Sequence, residues 1–143
     1  MGAAADIVLK AFALGDAQDL EGIMALRTED ADFVMPGMSV APEQMEMFYR
    51  ATWGGFPDGK HTIENVIETD DAVVIEATWR GTNTGPSPMP NGEMMPPTGR
   101  TVSFRLGAIN RVRDGRVCST HVYMDQMEFL RGLGVIPDAP QDA

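Results

Sequence analysis

The sequence predicts a single α+β domain in which helices come first and a mostly antiparallel sheet follows. Its 143 residues match a common single-domain size. Apolar residues recur at helical spacing early in the chain and with a period of two in the second half. No internal repeat or shift in composition marks a second domain. We therefore expect one domain over residues 1–136 and a disordered tail over residues 137–143.

Helical spacing dominates the start of the chain. Apolar residues between Ala3 and Leu26 indicate two helices, or one helix broken at Gly15-Asp16. Gly15 is placed like a glycine that ends a helix, because glycine adopts positive φ without strain. Asp16 or Asp19 is placed to cap the next helix with a side-chain oxygen.

A short strand and a third helix are expected next. Residues 32–35 are typical of a strand, which Pro36-Gly37 would stop. Pro42 suits the first position of a helix over residues 43–53, where its missing N–H costs nothing. Phe48 and Trp53 are expected to pack inward from this helix.

The second half of the chain has the two-residue period of a sheet, and four runs are predicted strands. They are residues 62–68, 72–79, 98–112 and 115–125. Asp114-Gly115 suits the tight turn of the longer hairpin. The proline-rich stretch at residues 84–97 is expected to be irregular and to cover a pocket. Residues 126–133 return to helical spacing, and Gly134 ends that helix.

Composition excludes several classes of partner. The net charge of −10 disfavours nucleic acid and anionic lipid, and no apolar run is long enough to cross a membrane. The single cysteine, Cys118, cannot form an internal disulfide, and no pair of cysteines or closely spaced histidines offers a zinc site, so no metal is expected. The N-terminus lacks the pattern of a signal peptide, so a cytoplasmic location is expected.

Five segments of the second half, taken in order, form a recognisable pattern. They are residues 56–58, 80–85, 96–100, 110–117 and 123–134, which read Phe-Pro-Asp, Arg-Gly-Thr-Asn-Thr-Gly, Pro-Pro-Thr-Gly-Arg, Asn-Arg-Val-Arg-Asp-Gly-Arg-Val and Tyr-Met-Asp-Gln-Met-Glu-Phe-Leu-Arg-Gly-Leu-Gly. This order resembles that of the SnoaL-like polyketide (ester) cyclases of the NTF2-like superfamily. The resemblance implies a cystatin-like curved sheet with N-terminal helices, enclosing a cone-shaped apolar pocket.

The resemblance also implies chemistry. It implies a homodimer that uses acid–base catalysis without a cofactor on a small hydrophobic molecule. Asp125 matches the aspartate that exchanges protons in the name-giving cyclases. The family often has histidine where this chain has Asn83, and asparagine can hydrogen-bond a substrate but cannot shuttle protons near neutral pH.

Alternation along the last predicted strand separates two faces. His121, Tyr123 and Asp125 share one face with Ser119, which could line a pocket or face water. In a pocket, Asp125 would act as general acid or base, while His121, Tyr123 and Asn83 could hold the developing enolate oxygen. His121 has a common alternative fate as a core or interface histidine, and His61 is expected to be exposed.

Five large apolar residues could line the pocket, although core packing explains each as easily. They are Phe12, Met35, Phe48, Trp53 and Trp79. The leading hypothesis is therefore a cofactor-free cyclase or isomerase that acts on a hydrophobic carbonyl compound. A non-catalytic ligand-binding or dimerisation module is the alternative, which Asn83 favours slightly. An epoxide hydrolase of this fold ranks lower, because it needs an Asp-Arg-Asp set that the sequence does not supply recognisably.

Overall fold

The computed structural model describes residues 2–88 and 92–137. Over these ranges the chain forms helices α1 Ala3–Asp16, α2 Leu20–Leu26, α3 Met45–Gly55 and α4 Gln126–Leu133. Its strands are β1 Arg27–Met35, β2 Met38–Val40, β3 Lys60–Glu68, β4 Val73–Thr82, β5 Ser87–Pro88, β6 Met94–Met95, β7 Thr101–Arg113 and β8 Arg116–Met124. A 3-10 turn at Pro42–Gln44 leads into α3, as expected of a proline at the start of a helix. None of the helices in these ranges has the length and apolar character needed to cross a membrane.

Six strands form one sheet in the order β2-β1-β8-β7-β4-β3. All neighbouring pairs are antiparallel except β1 and β8, which run parallel. The predicted α+β class with a mostly antiparallel sheet is confirmed. The parallel pair brings the start of β1 beside β8, although Arg27 and its partner Val117 lie 90 residues apart in sequence.

The break between α1 and α2 differs in detail from its prediction. Two helices form, and the Asp19 carboxylate caps α2 by accepting a 2.9 Å hydrogen bond from the Gly22 N–H. Gly15 does not end α1, because the helix continues to Asp16. Gln18 instead takes the positive φ, at 58°, and reverses the chain there. The prediction for Gly15 was therefore wrong because a non-glycine residue accepted the left-handed conformation.

Other predicted turns are confirmed. Asp114 and Gly115 have φ of 52° and 76°, as the tight turn between β7 and β8 requires. Gly134 ends α4 with φ of 81°. The strand expected at residues 32–35 is longer, because β1 starts at Arg27 and its register on β8 is interrupted between Arg27 and Asp32.

The proline-rich segment at residues 84–97 is more ordered than expected. It contains the small hairpin of β5 and β6, whose middle residues 89–91 lie outside the described ranges. The Gly85 N–H donates to Gly55 O at 3.3 Å, and a β-carbon at Gly85 would collide with the Gly54 carbonyl. This close approach fixes the hairpin against the end of α3. Of the tail expected to be disordered, residues 138–143 lie outside the described ranges.

Two apolar clusters lie on the helix-covered side of the sheet. The larger one joins α1, α4 and Phe56 to the buried residues of β4 and β7. The smaller one joins β1, β2 and α3 through Phe33, Val40 and Met45. Val122 of β8 packs against both clusters. The middle of β8 is therefore the junction between the two halves of the interior.

Candidate ligand-binding site

Strand β8 presents Thr120 and Val122 to the helices. Thr120 pairs with Asn110 of β7, and Val122 pairs with Ala108. Every second residue in this part of β7 is buried, and Ala108 and Asn110 belong to that buried series. The series faces the helices, including α1. Because residues directly opposite each other in a sheet share a face, Thr120 and Val122 point into the interior.

His121 and Tyr123 therefore lie on the outer face of the sheet. Tyr123 is 58% exposed and pairs with Gly107, while His121 is half-buried and pairs with Ile109. The sequence left this polar face either lining a pocket or facing water, and the pairing with β7 places His121 and Tyr123 on the water-facing side. The physical reason is the register between β8 and β7. A β8 residue lies on the same face of the sheet as the β7 residue opposite it, and the helices cover the face on which Ala108 and Asn110 lie.

His121 belongs to a polar pair on that outer face. Its Nε2 lies 2.8 Å from Asp32 Oδ2. Partial burial alone would raise the pKa of Asp32, but hydrogen bonds from Ser119 and His121 outweigh it and hold that pKa below its ordinary value. The other histidine, His61, was expected to be exposed but is half-buried, with Nδ1 2.7 Å from Asp16 Oδ1 and its ring against Phe12.

Asp125 follows β8 and is the N-cap of α4. Its Oδ1 accepts hydrogen bonds from the Met127 N–H at 2.9 Å and the Glu128 N–H at 3.3 Å. The residue is exposed. The expected enclosure of this carboxyl group among apolar side chains is therefore not observed, whereas its proton-exchange role stays a prediction from the resemblance.

Asn83 is fully buried and its amide is used by the protein itself. Its Nδ2 donates to Gly55 O and Gly85 O, both at 3.1 Å, and its Oδ1 accepts from the Thr98 N–H at 2.7 Å. These bonds join both ends of the proline-rich segment to the end of α3. Asn83 therefore has a structural position, and the prediction that it contacts substrate finds no support in its surroundings.

A chain of buried polar side chains occupies the junction of the two apolar clusters. Arg27 donates from one guanidinium nitrogen to Thr120 Oγ1 at 3.1 Å and from another to the Asp32 carbonyl at 2.9 Å. The Thr120 hydroxyl in turn donates to Asn110 Oδ1 at 3.0 Å. Asn110 completes the chain by donating to the carbonyls of Val73 and Ala108.

The guanidinium of Arg27 is buried without a carboxylate partner. Arg27 is 6% exposed, and within the described ranges it forms no ion pair. The Phe33 ring lies 5.7 Å from its central carbon. Burial lowers the pKa of Arg27, and the neighbouring Tyr49 and Asp32 partly oppose that shift. Arginine nevertheless stays protonated, so a positive charge lies inside the domain.

Tyr49 of α3 packs against the smaller apolar cluster, which also contains Phe33, the ring next to Arg27. Burial raises the pKa of the Tyr49 phenol, and Arg27 partly opposes the shift. The phenol is therefore a neutral hydrogen-bond donor at physiological pH. Its ring packs edge-on against Phe48 at 5.6 Å and lies 5.3 Å from Trp53.

The five apolar residues expected to line a pocket are divided between the two clusters. Trp79 is buried between Phe56 and Phe104, and Phe12 packs on the edge of the same cluster. Met35 and Phe48 border the smaller cluster, and half-buried Trp53 contacts Tyr49. Core packing therefore accounts for Trp79, while Phe48 and Trp53 pack against Tyr49.

Sequence reasoning missed Arg27, Tyr49, Thr120 and Asn110 as a group. Asn110 carried a readable signal, because it continues the inward alternation of Leu106 and Ala108 on β7. A polar residue at an inward position is expected to have a buried partner. Arg27 carried no comparable signal, since it directly follows α2 and only the parallel pairing with β8 brings it to Thr120.

Two other kinds of site find no support in the described ranges. No group of three His, Cys, Asp or Glu side chains there could hold a metal ion. Among ion pairs between described residues, the one that joins an arginine to an aspartate is Arg113–Asp30 at 2.6 Å, on the surface. An Asp-Arg-Asp set of the kind an epoxide hydrolase needs is therefore not formed by these pairs.

The fold and its interior define an NTF2-like domain of the α+β class. The model of the SnoaL-like domain family matches residues 8–120, which is well over half of the chain. The chain therefore belongs to the SnoaL-like family, as the sequence pattern indicated.

Solved structures with this fold include two candidate polyketide cyclases and a candidate hydroxylase. A candidate SnoaL-like polyketide cyclase from Jannaschia sp. CCS1 is 25% identical, with a TM-score of 0.80 over 94% of each chain. IdmH, a candidate polyketide cyclase from Streptomyces antibioticus, is 26% identical, with a TM-score of 0.74 over 90% of this chain and 96% of IdmH. AclR, a candidate hydroxylase from Streptomyces galilaeus, is 25% identical, with a TM-score of 0.78 over 95% of this chain and 83% of AclR. No protein of curated function matches.

Proposed function

We propose that this protein binds an apolar carbonyl compound between the sheet and α3 and promotes cyclase-type or isomerase-type chemistry there. The observation that carries the proposal is the buried guanidinium of Arg27, which has no ion pair within the described ranges and lies 5.7 Å from Phe33, in the cluster on which Tyr49 also packs. The guanidinium and the Tyr49 phenol are hydrogen-bond donors in a largely apolar interior. Such a pair suits an oxygen atom that gains negative charge during a reaction.

The chemistry follows from what these donors stabilise. A base from solvent that takes the proton next to a carbonyl group, and carries it into bulk water, leaves the carbonyl oxygen as an enolate oxygen. Arg27 has five N–H donors. Its hydrogen bonds to Thr120 and to the Asp32 carbonyl use one N–H on each of two nitrogens. The remaining donors and the phenol could bind the oxygen where water does not compete, so each bond counts for more than in solution.

The comparisons support the same reaction class. Two proteins about one-quarter identical over nearly the whole chain are candidate polyketide cyclases. The aromatic rings of Phe48 and Trp53 next to Tyr49 would suit a flat or cyclic apolar substrate. A small hydrophobic molecule, with no cofactor, remains the proposed partner.

Asp125 fits this site poorly as a direct partner of Arg27. It lies five residues beyond Thr120, which is about 16 Å along an extended strand. One carbonyl group cannot lie within hydrogen-bond reach of both residues. We therefore propose the oxyanion role for Arg27 and Tyr49, and the family-derived role of Asp125 is tested separately below.

Proton exchange tests the proposal without knowledge of the product. The protein is incubated in D2O with a panel of aromatic and aliphatic β-keto esters, and loss of the α-proton signal is followed by NMR. We expect exchange above the buffer rate for at least one compound, slowed about 100-fold by Tyr49→Phe. Tyr123→Phe is the matched control, because it removes an exposed hydroxyl from the outer face and should leave exchange unchanged.

A non-catalytic ligand-binding module is the second candidate. It is favoured by one observation, that neither Asp125 nor His121 faces the interior. This candidate predicts no exchange with any compound of the panel. The same compounds would still raise the melting temperature, because they bind only the folded protein.

The expected homodimer and the cytoplasmic location remain proposals. The outer face of the sheet exposes Ile67, Ile109 and Tyr123 together with charged side chains, and a second copy could cover these residues. Sedimentation equilibrium tests the dimer, since a mass near 15.5 kDa at micromolar concentration would contradict it.

A further inference from the structure

A cavity of about 210 Å³ lies where β1 begins, next to the buried end of the polar chain. Arg27, Thr28, Glu29 and Arg116 contribute its polar lining, and Met24 and Met45 contribute apolar lining. It lies beside the stretch of β1 in which the pairing with β8 is interrupted. The reaction proposed above does not require this space.

The charge of the lining favours an anion. Two guanidinium groups face one carboxylate, and within the described ranges neither Arg27, Arg116 nor Glu29 forms an ion pair. Arg116 and Glu29 are exposed and solvated, whereas Arg27 is almost fully buried. A buried charge without a counter-charge is costly, so an anionic ligand would be stabilised mainly by Arg27.

Thr28 adds an independent observation. Its Oγ1 is buried and, within the described ranges, forms no hydrogen bond of ordinary length and angle, although this hydroxyl lies near enough to the exposed Asp30 carboxylate to lower the pKa of that group. A buried hydroxyl in that state favours a ligand that supplies an acceptor. A carboxylate has two oxygens and about four acceptor positions, so it can accept from Arg27 and Thr28 together.

We propose that this cavity binds the carboxylate of a small apolar acid. Met24 and Met45 would contact the hydrocarbon part, for which flexible methionine side chains are well suited. The volume lies below the roughly 300 Å³ at which pockets for whole drug-sized ligands begin, so it fits a short acid or the acid end of a longer molecule. The inference goes beyond the proposed function, because acid binding in this cavity is measured independently of whether any β-keto ester reacts.

An acid and its neutral isostere test the proposal. Hexanoate and hexanamide are titrated into the full chain, and dissociation constants are measured by NMR chemical-shift changes. We expect hexanoate to bind about tenfold more tightly than hexanamide, because hydrogen bonds to charged groups are the stronger ones. Arg116→Gln and Thr28→Val should each reduce this preference about twofold, since Arg27 supplies most of it. Arg105→Gln, an exposed arginine of the outer face, is the matched control and should leave the preference unchanged.

Equal binding of hexanoate and hexanamide would overturn the proposal, as would an unchanged acid preference in both Arg116→Gln and Thr28→Val. Raising the salt concentration should weaken hexanoate binding and not hexanamide binding. The proposed reaction fails in a different way. In that case the acid preference is present, but no compound of the β-keto ester panel exchanges its α-proton and Tyr49→Phe changes nothing.

Discussion

The two faces of β8 differ in the partners that surround their polar groups. On the inner face, Thr120 joins Arg27 to Asn110 through hydrogen bonds between buried atoms. On the outer face, His121 binds Asp32 where both side chains are substantially exposed, at 39% and 51%. The inner polar groups are fewer, but each is desolvated. The comparison teaches that the inward face of a strand cannot be recognised by counting its polar residues.

The energetic consequence of this difference is direct. A buried polar group that loses its partner keeps the full cost of desolvation, whereas water replaces a lost partner at the surface. Substitutions on the inner face should therefore reduce the free energy of unfolding far more than equivalent substitutions on the outer side of the sheet. Three pairs of variants test that contrast.

The largest effect is expected for Asn110→Leu. This change keeps the branched side-chain shape and its number of heavy atoms but removes the acceptor of the Thr120 hydroxyl and the donor to the Val73 carbonyl. We expect the free energy of unfolding to fall by about 2–4 kcal/mol, measured from urea unfolding. Asn65→Leu is the control, since it removes an exposed hydrogen bond to Glu76 and should change stability by no more than about 0.5 kcal/mol. Equal losses in the two variants would remove the distinction between the faces.

An intermediate effect is expected at Asp125, just beyond the end of β8. Asp125→Ala removes the cap of α4 and should cost about 1 kcal/mol, whereas Asp125→Asn keeps a capping oxygen and should cost little. Because the carboxylate is exposed and far along the strand from Arg27, we expect Asp125→Asn to retain α-proton exchange. Lost exchange in this variant, with unchanged melting temperature, would instead establish Asp125 as the acid–base group that the family resemblance implies.

Local patterns predicted most of the fold, and long-range pairing decided the site. Turn chemistry at Asp114-Gly115 and the stop at Gly134 depend on neighbouring residues, so they could be read from the sequence. The side of β8 that meets the helices depends on its register with β7, which no local pattern specifies. Arg27 reaches Thr120 only through a parallel pairing between segments 93 residues apart, so its role was invisible in the sequence.

The smallest effect is expected for Ser119→Ala on the outer face. The Ser119 hydroxyl helps to hold the pKa of Asp32 below its ordinary value, so its removal should raise that pKa toward the ordinary value. A depressed carboxyl pKa contributes stability that is present above the unfolded value of about 3.9 and is lost as pH falls through the folded value. Ser119→Ala should therefore lose slightly less stability than the wild type between pH 6 and pH 2.5.

Carbon NMR titration of the Asp32 carboxyl and urea midpoints at the two pH values check this prediction. Because Asp32 is more than half exposed, water screens its hydrogen bonds, and the difference in unfolding free energy should stay well below about 1 kcal/mol. Ser103→Ala, an exposed serine on the same face of β7, is the control and should leave the titration of Asp32 unchanged. If Ser119→Ala lowered the urea midpoint as much as Asn110→Leu does, the outer face would have to be buried in solution. A dimer formed through that face would bury it.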